Sequence, residues 1–252
     1  MTLRFSTGLR NNLAGNKGFA STFAKGSILI YSGTQPATAD SAVTGTLLGT
    51  VTLASGVLTQ ETRASQTITI AGSAGSINTV TVSTLNIIPG GAVPWNTSTT
   101  QTASDLCDAI NRDGLFDATV SGAVVTVLAP RGAGTTYNTL VFATTVTTLT
   151  ATVGAGTITG GVAAVNGLTF AAPVGGTVSK SGIWSFNGAA VGTAGWFRLI
   201  ASSSDAGGSS TVLERMDGSV AGSGADMNLS NISVAIGAPN TIDTFAYTQP
   251  AQ

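Results

Sequence analysis

Apolar and polar residues alternate strictly over Gln66-Thr67-Ile68-Thr69-Ile70 and again over Asn78-Thr79-Val80-Thr81-Val82. A period of two puts every second side chain on one face, so both segments predict strands with one buried side. Ser27-Ile28-Leu29-Ile30-Tyr31-Ser32 is a β-branched-rich run between Gly26 and Gly33, and Gly33-Thr34-Gln35-Pro36 reads as a turn. Thr46 to Leu53 predicts a second strand that pairs with the first. Further strands are expected over 118–121, 124–128, 139–143, 146–153, 183–186, 194–201, 231–236 and 241–247. A Gly237-Ala238-Pro239-Asn240 turn divides the last two.

One segment departs from this texture. Between Thr100 and Arg112, Ala103, Leu106, Cys107 and Ile110 recur at the spacing of one helical stripe. Thr99 or Thr100 is the expected cap, and Gly114 lies just past the end. Two strands before this helix and two or more after it predict a small α+β module with the helix on one face of a sheet. The chain is therefore expected to be mainly β: a β-sandwich-like outer domain with an inserted small α+β module containing one helix. The expected division is an N-terminal arm over 1–26, a discontinuous β domain over 27–63 plus 166–252, and the module over 64–165. Three modules in series is the alternative.

Composition narrows the class. Of 252 residues only 8% are charged, while 42% are hydrophobic and mean hydropathy is +0.35. Disordered chains combine low hydropathy with high charge, so this one should fold. A net charge of −1 and a pI near 5.2 argue against nucleic acid as a partner. No 18-residue apolar run occurs, so no membrane-spanning helix is expected. The opening residues show no apolar signal core, which predicts synthesis in the host cytoplasm without a signal peptide. Little charge with much Thr, Ser and Gly suits a protein that must last outside a cell. A virus particle fits both observations.

Candidate chemistry is sparse. The chain has no His, which removes Ser-His and Cys-His nucleophile pairs. Its one Cys, Cys107, falls on the helical apolar stripe and reads as a buried structural thiol. Gly154 to Gly160 has no following Lys, and Gly132-Ala133-Gly134 lacks a third Gly at the needed spacing, so neither predicts a phosphate loop. Eleven carboxylates occur, from Asp40 to Asp243, none in a recognisable catalytic motif. Gly222-Ser223-Gly224-Ala225-Asp226 is one imperfect copy of a calcium β-roll repeat, with Asn228 where an apolar residue belongs; a metal-free turn is expected. Asp205 and Asp217 are read as residues of Gly-rich loops. No catalytic residue, cofactor, metal or small-molecule substrate is predicted.

The first 26 residues carry Arg4, Arg10, Lys17 and Lys25 without an acid, together with Phe5, Phe19 and Phe23. These seven residues are the candidate contact set of a docking arm.

Several segments resemble small virion proteins of tailed bacteriophages. They are the arm with Ile28 to Pro36, Gly45-Thr46-Leu47-Leu48, Gly195-Trp196-Phe197-Arg198, Met216-Asp217-Gly218-Ser219-Val220, Gly224 to Leu229, and Thr241 to Phe245. Ser76 to Ala143 is similar to an insert common in phage structural proteins, carried by Trp95 before a Thr-rich link, Ala109-Ile110-Asn111, and Val124-Thr126-Leu128-Pro130. The resemblance implies a structural role and transfers no site residue. The expected function is a head decoration or cement protein that binds the major capsid protein from outside and associates with copies of itself as a trimer or dimer. A tail or neck position, and a surface adhesin or carbohydrate-binding module, are the alternatives.

Overall fold

The computed structural model describes residues 3–15 and 17–249. The fold is mainly β, with several antiparallel sheets and three helices among the described residues. The chain divides into two compact units. The first comprises Met1–Ala14, Gly18–Glu61 and Ala164–Gln252; the second comprises Gly15–Lys17 and Thr62–Ala163.

The first unit is built on a large sheet. Its main path runs Arg4–Phe5, Arg215–Ala221, Gly192–Ile200, Ser27–Ser32, Leu47–Leu53, Trp184–Asn187, Pro239–Ile242, each antiparallel to the next. The strand Ser27–Ser32 pairs with Leu47–Leu53 as its alternation predicts. A three-stranded sheet of Thr169–Phe170, Thr177–Ser181 and Ala246–Thr248 belongs to the same unit. Ile28, Ile30, Phe197, Leu199 and Met216 from one face of the large sheet share a core with Leu168, Val178 and Tyr247. Burial of such apolar surface, at roughly 25 cal/mol per Å², is what holds sheet to sheet.

The expected free arm is instead folded into this core. Arg4–Phe5 is an edge strand, and Thr7–Ala14 and Phe19–Thr22 are helices. Leu9 and Phe23 are fully buried, and Phe19 stacks on Tyr247 with ring centroids 4.2 Å apart. Three Phe side chains in 26 residues bring more apolar surface than a solvated tail can leave in water, and the core takes it up.

The second unit holds two four-stranded sheets. One contains Phe142–Thr147, Ser76–Val82, Leu85–Asn86 and Val93–Pro94; the other runs Thr150–Val153, Ser65–Ala71, Val124–Leu128, Asp117–Ser121. The helix Thr99–Asp113 lays Ala103, Leu106, Cys107 and Ile110 into a core with Ile68, Ile77, Val80 and Val125. Its cap is Ser98, one residue before the expected position, whose hydroxyl accepts from the Gln101 N–H at 3.1 Å. Gly114 ends it at φ 80°, a left-handed conformation that glycine adopts without strain.

Three other expectations shift. The run expected over 146–153 breaks at Thr148, φ 63°, into two strands that join different sheets of the unit. The run expected over 241–247 is split between the two sheets of the first unit. Asp217 lies not in a loop but inside the strand Arg215–Ala221, an element its Gly and Asp had hidden.

Candidate functional site

The outer face of the large sheet carries the unusual chemistry. Along Gly192–Ile200, Phe197 and Leu199 enter the core, so Trp196, Arg198 and Ile200 point the other way. Residues opposite one another on neighbouring strands share a face. Arg4, Asp217 and Arg198 are paired in one row across three strands, which continues into Leu29 and Thr50. Arg198 donates from Nε and Nη2 to the two Asp217 oxygens at 2.7 Å each, with both side chains at 0% exposure. The next row aligns Arg215, Ile200 and Ser27. Arg215 grips Asp205 at 2.6 and 2.5 Å. Tyr31 stacks on Trp196 at 4.5 Å, and the Arg198 guanidinium lies 5.6 Å from the Trp196 ring.

Loops cover one end of this face. Arg4 donates to the carbonyl of Pro36, and Arg198 Nη2 donates to the Ser41 carbonyl at 3.1 Å. Asp40 accepts from the Thr7 N–H and hydroxyl at 2.8 and 2.7 Å, and the Val43 N–H donates to the Gly207 carbonyl at 2.9 Å. Burial pushes the Asp217 carboxyl above its ordinary value, against the pull of Arg198. Burial also raises the Tyr31 hydroxyl, so it remains a neutral phenol at physiological pH.

Beside the covered end the same face opens into a groove of about 580 Å³. Ser27, Tyr31, Thr50 and Asp205 supply polar lining, and Val43, Leu47, Val57, Leu58 and Ala189 supply apolar lining. The Ser27 hydroxyl is buried with no hydrogen-bond partner among the described residues.

The seven arm residues do not form one contact surface. Arg4 is occupied by the Pro36 carbonyl, Phe5 packs against the core, and Phe19 and Phe23 are buried in it. Lys17 forms an ion pair with Asp117 in the second unit, which Arg63 also joins. Lys25 is half-buried, with its N–H bonded to the Leu168 carbonyl. Arg10 alone of the seven is exposed, and it bonds the Thr7 hydroxyl at 2.9 Å.

Asp205 and Asp226, singled out in the sequence, and Glu61 serve as local anchors. Asp226 accepts from the Ser219 N–H and hydroxyl at 2.8 Å each, Glu61 from the Ser202 hydroxyl at 2.7 Å, and Asp205 from Arg215 and the Gly207 N–H. Among the described residues no group of three or more potential metal-ligating side chains converges. Cys107 is buried, and burial raises its thiol.

A surface feature that adjoins the groove at Val57 was not legible in the sequence either. Val57 is 85% exposed and Ile183 64%, with Val165 half-exposed. Backbone bonds bring them together: the Thr59 N–H donates to Val165, Ala54 to Ile183 and Leu53 to Asn166, while the Asn166 amide reaches the Val57 carbonyl. The stretches 41–60 and 181–197 contain no charged residue, and Lys180 brings its ammonium to the Gly182 carbonyl at 3.4 Å, next to Ile183.

Comparison with known protein families, with curated proteins and with solved structures finds no match to the chain.

Proposed function

We propose that this chain is a non-enzymatic structural protein of a tailed-phage virion, borne on the outside of the head, where it binds the assembled capsid and stabilises it. The observation that carries the reading is the exposure of Val57, Val165 and Ile183 on segments that hydrogen-bond to one another. Exposed apolar side chains gathered on neighbouring segments mark candidate contact sites. The composition and the resemblance of the outer segments to phage virion proteins point the same way. A protein that binds only the assembled lattice shifts the equilibrium toward the intact shell by mass action. The contact is then made by this patch rather than by residues 1–26, whose aromatic side chains are committed to the core.

The test is the copy number of the chain in purified source particles, by quantitative mass spectrometry against the major capsid protein. A ratio near one of the lattice's simple fractions is expected. A handful of copies per particle would move the protein to a tail or neck ring, and its absence from particles would overturn the virion reading.

A further inference from the structure

We propose that the groove on the outer face of the large sheet is a binding site for an uncharged saccharide. The proposal goes beyond the virion reading and does not depend on it, and it adds a ligand to a chain whose sequence predicted no small-molecule substrate.

The groove has the size of a small-ligand site, about 580 Å³, where such sites run roughly 300–1,000 Å³. Its one formal charge is Asp205, and Arg215 already neutralises it with two bonds of 2.6 and 2.5 Å. An ionic ligand would therefore enter without a counter-charge and lose its hydration uncompensated. A neutral one avoids that cost.

The polar groups of the lining are hydroxyls and amides. The buried Ser27 hydroxyl has no partner among the described residues. The Thr50 side chain sits mid-strand on the floor, in register with Leu29. The side-chain amides of Gln60 and Asn187 stand exposed on the lining. Hydroxyls and amides both donate and accept, which matches a ligand whose own polar groups are hydroxyls. Between them lie the short apolar side chains of Val43 and Ala189, suited to the C–H faces of a sugar ring. A purely apolar ligand would leave these groups stripped of water and unpaired, at a cost comparable to its gain from burial.

The experiment is binding of the full-length protein to an array of neutral and anionic oligosaccharides, repeated in solution by saturation-transfer NMR. Soluble oligosaccharides and purified bacterial envelope polysaccharide form separate arms. A subset of neutral glycans should bind in at least one arm. Gln60→Ala and Asn187→Ala, both at exposed positions, should each weaken that binding by about tenfold, the effect of losing one good hydrogen bond. Ser27→Ala should weaken it also without lowering thermal stability, because the hydroxyl it removes has no partner among the described residues. The proposal fails if no neutral glycan binds, if only anionic glycans bind, if binding survives all three substitutions, or if a Thr- and Gly-rich peptide binds the groove while glycans do not.

Discussion

Arg198 and Asp217 stand directly opposite each other on adjacent antiparallel strands, joined by two bonds of 2.7 Å, and neither side chain has any solvent exposure. The desolvation of two charges is offset in part by bidentate geometry, by the Ser41 carbonyl, and by Arg4 in the same row, and burial still leaves the Asp217 carboxyl raised. Removing one partner strands the other in a medium that solvates it poorly. Arg198→Met or Asp217→Leu alone should therefore cost about 3–5 kcal/mol in urea unfolding, while the double variant recovers most of the loss. Equal and additive losses would show that the pair does not act as a unit.

Tyr31 links the same face to alkaline pH. Its hydroxyl is raised above the ordinary value of 10.0, chiefly by burial, with Asp205 and Asp217 adding to the rise and Arg198 and Arg215 opposing it. A group whose folded value is raised contributes stability that is complete below its unfolded value and is lost as pH climbs through the folded one. Unfolding free energy should then fall above pH 10. Burial raises Tyr247 as well, so Tyr31→Phe should reduce the slope without abolishing it. Denaturant midpoints measured across this range check the sign; a slope unchanged in Tyr31→Phe would remove Tyr31 as a contributor.

Asn111 closes the edge of a strand in the second unit. Its amide nitrogen donates to the Ala118 carbonyl at 3.0 Å, and its oxygen accepts the Ala118 N–H at 2.8 Å. The side chain thus stands in for a neighbouring strand, which also blunts that edge against pairing with another chain. Asn111→Leu should destabilise this unit by about 1–3 kcal/mol, the cost of leaving backbone groups unpaired. Hydrogen exchange at Ala118 should accelerate relative to the first unit. Unchanged protection would mean that the amide pair is dispensable.

The patch of Val57, Val165 and Ile183 separates stability from attachment. Val57→Lys and Ile183→Lys alter well-exposed positions, so each should change stability by no more than about 0.5 kcal/mol. Rebinding to particles stripped of the protein should nevertheless drop sharply in the double variant, because a lysine in the contact must be buried without a partner. Full rebinding of the double variant would place the contact elsewhere on the protein.

Much of the framework was legible from local pattern. The stripe of Ala103, Leu106, Cys107 and Ile110 marks the one long helix, and the alternation in Gln66 to Ile70 and Asn78 to Val82 marks two strands, because periodicity reports which face a segment buries. Arg215–Ala221 escaped notice because it is buried on both faces yet carries Arg215, Asp217 and Ser219, so no apolar alternation signals it. The groove was equally silent, since Ser27, Thr50, Gln60, Asn187 and Asp205 are scattered over some 180 positions and read singly as strand or loop residues.

The sequence by itself determined that the chain folds, that it is mainly β, where its long helix lies, and that histidine-based catalysis is absent. These follow from composition and from periods of two and 3.6 residues, which are local. Only the tertiary structure decided that Leu9, Phe19 and Phe23 join the core, that Arg198 meets Asp217, and that the segments of Val57, Asn166 and Ile183 are hydrogen-bonded together. Each of those depends on which distant strands pair and in which register, and a shift of one residue in that register would turn every one of these side chains to the opposite face.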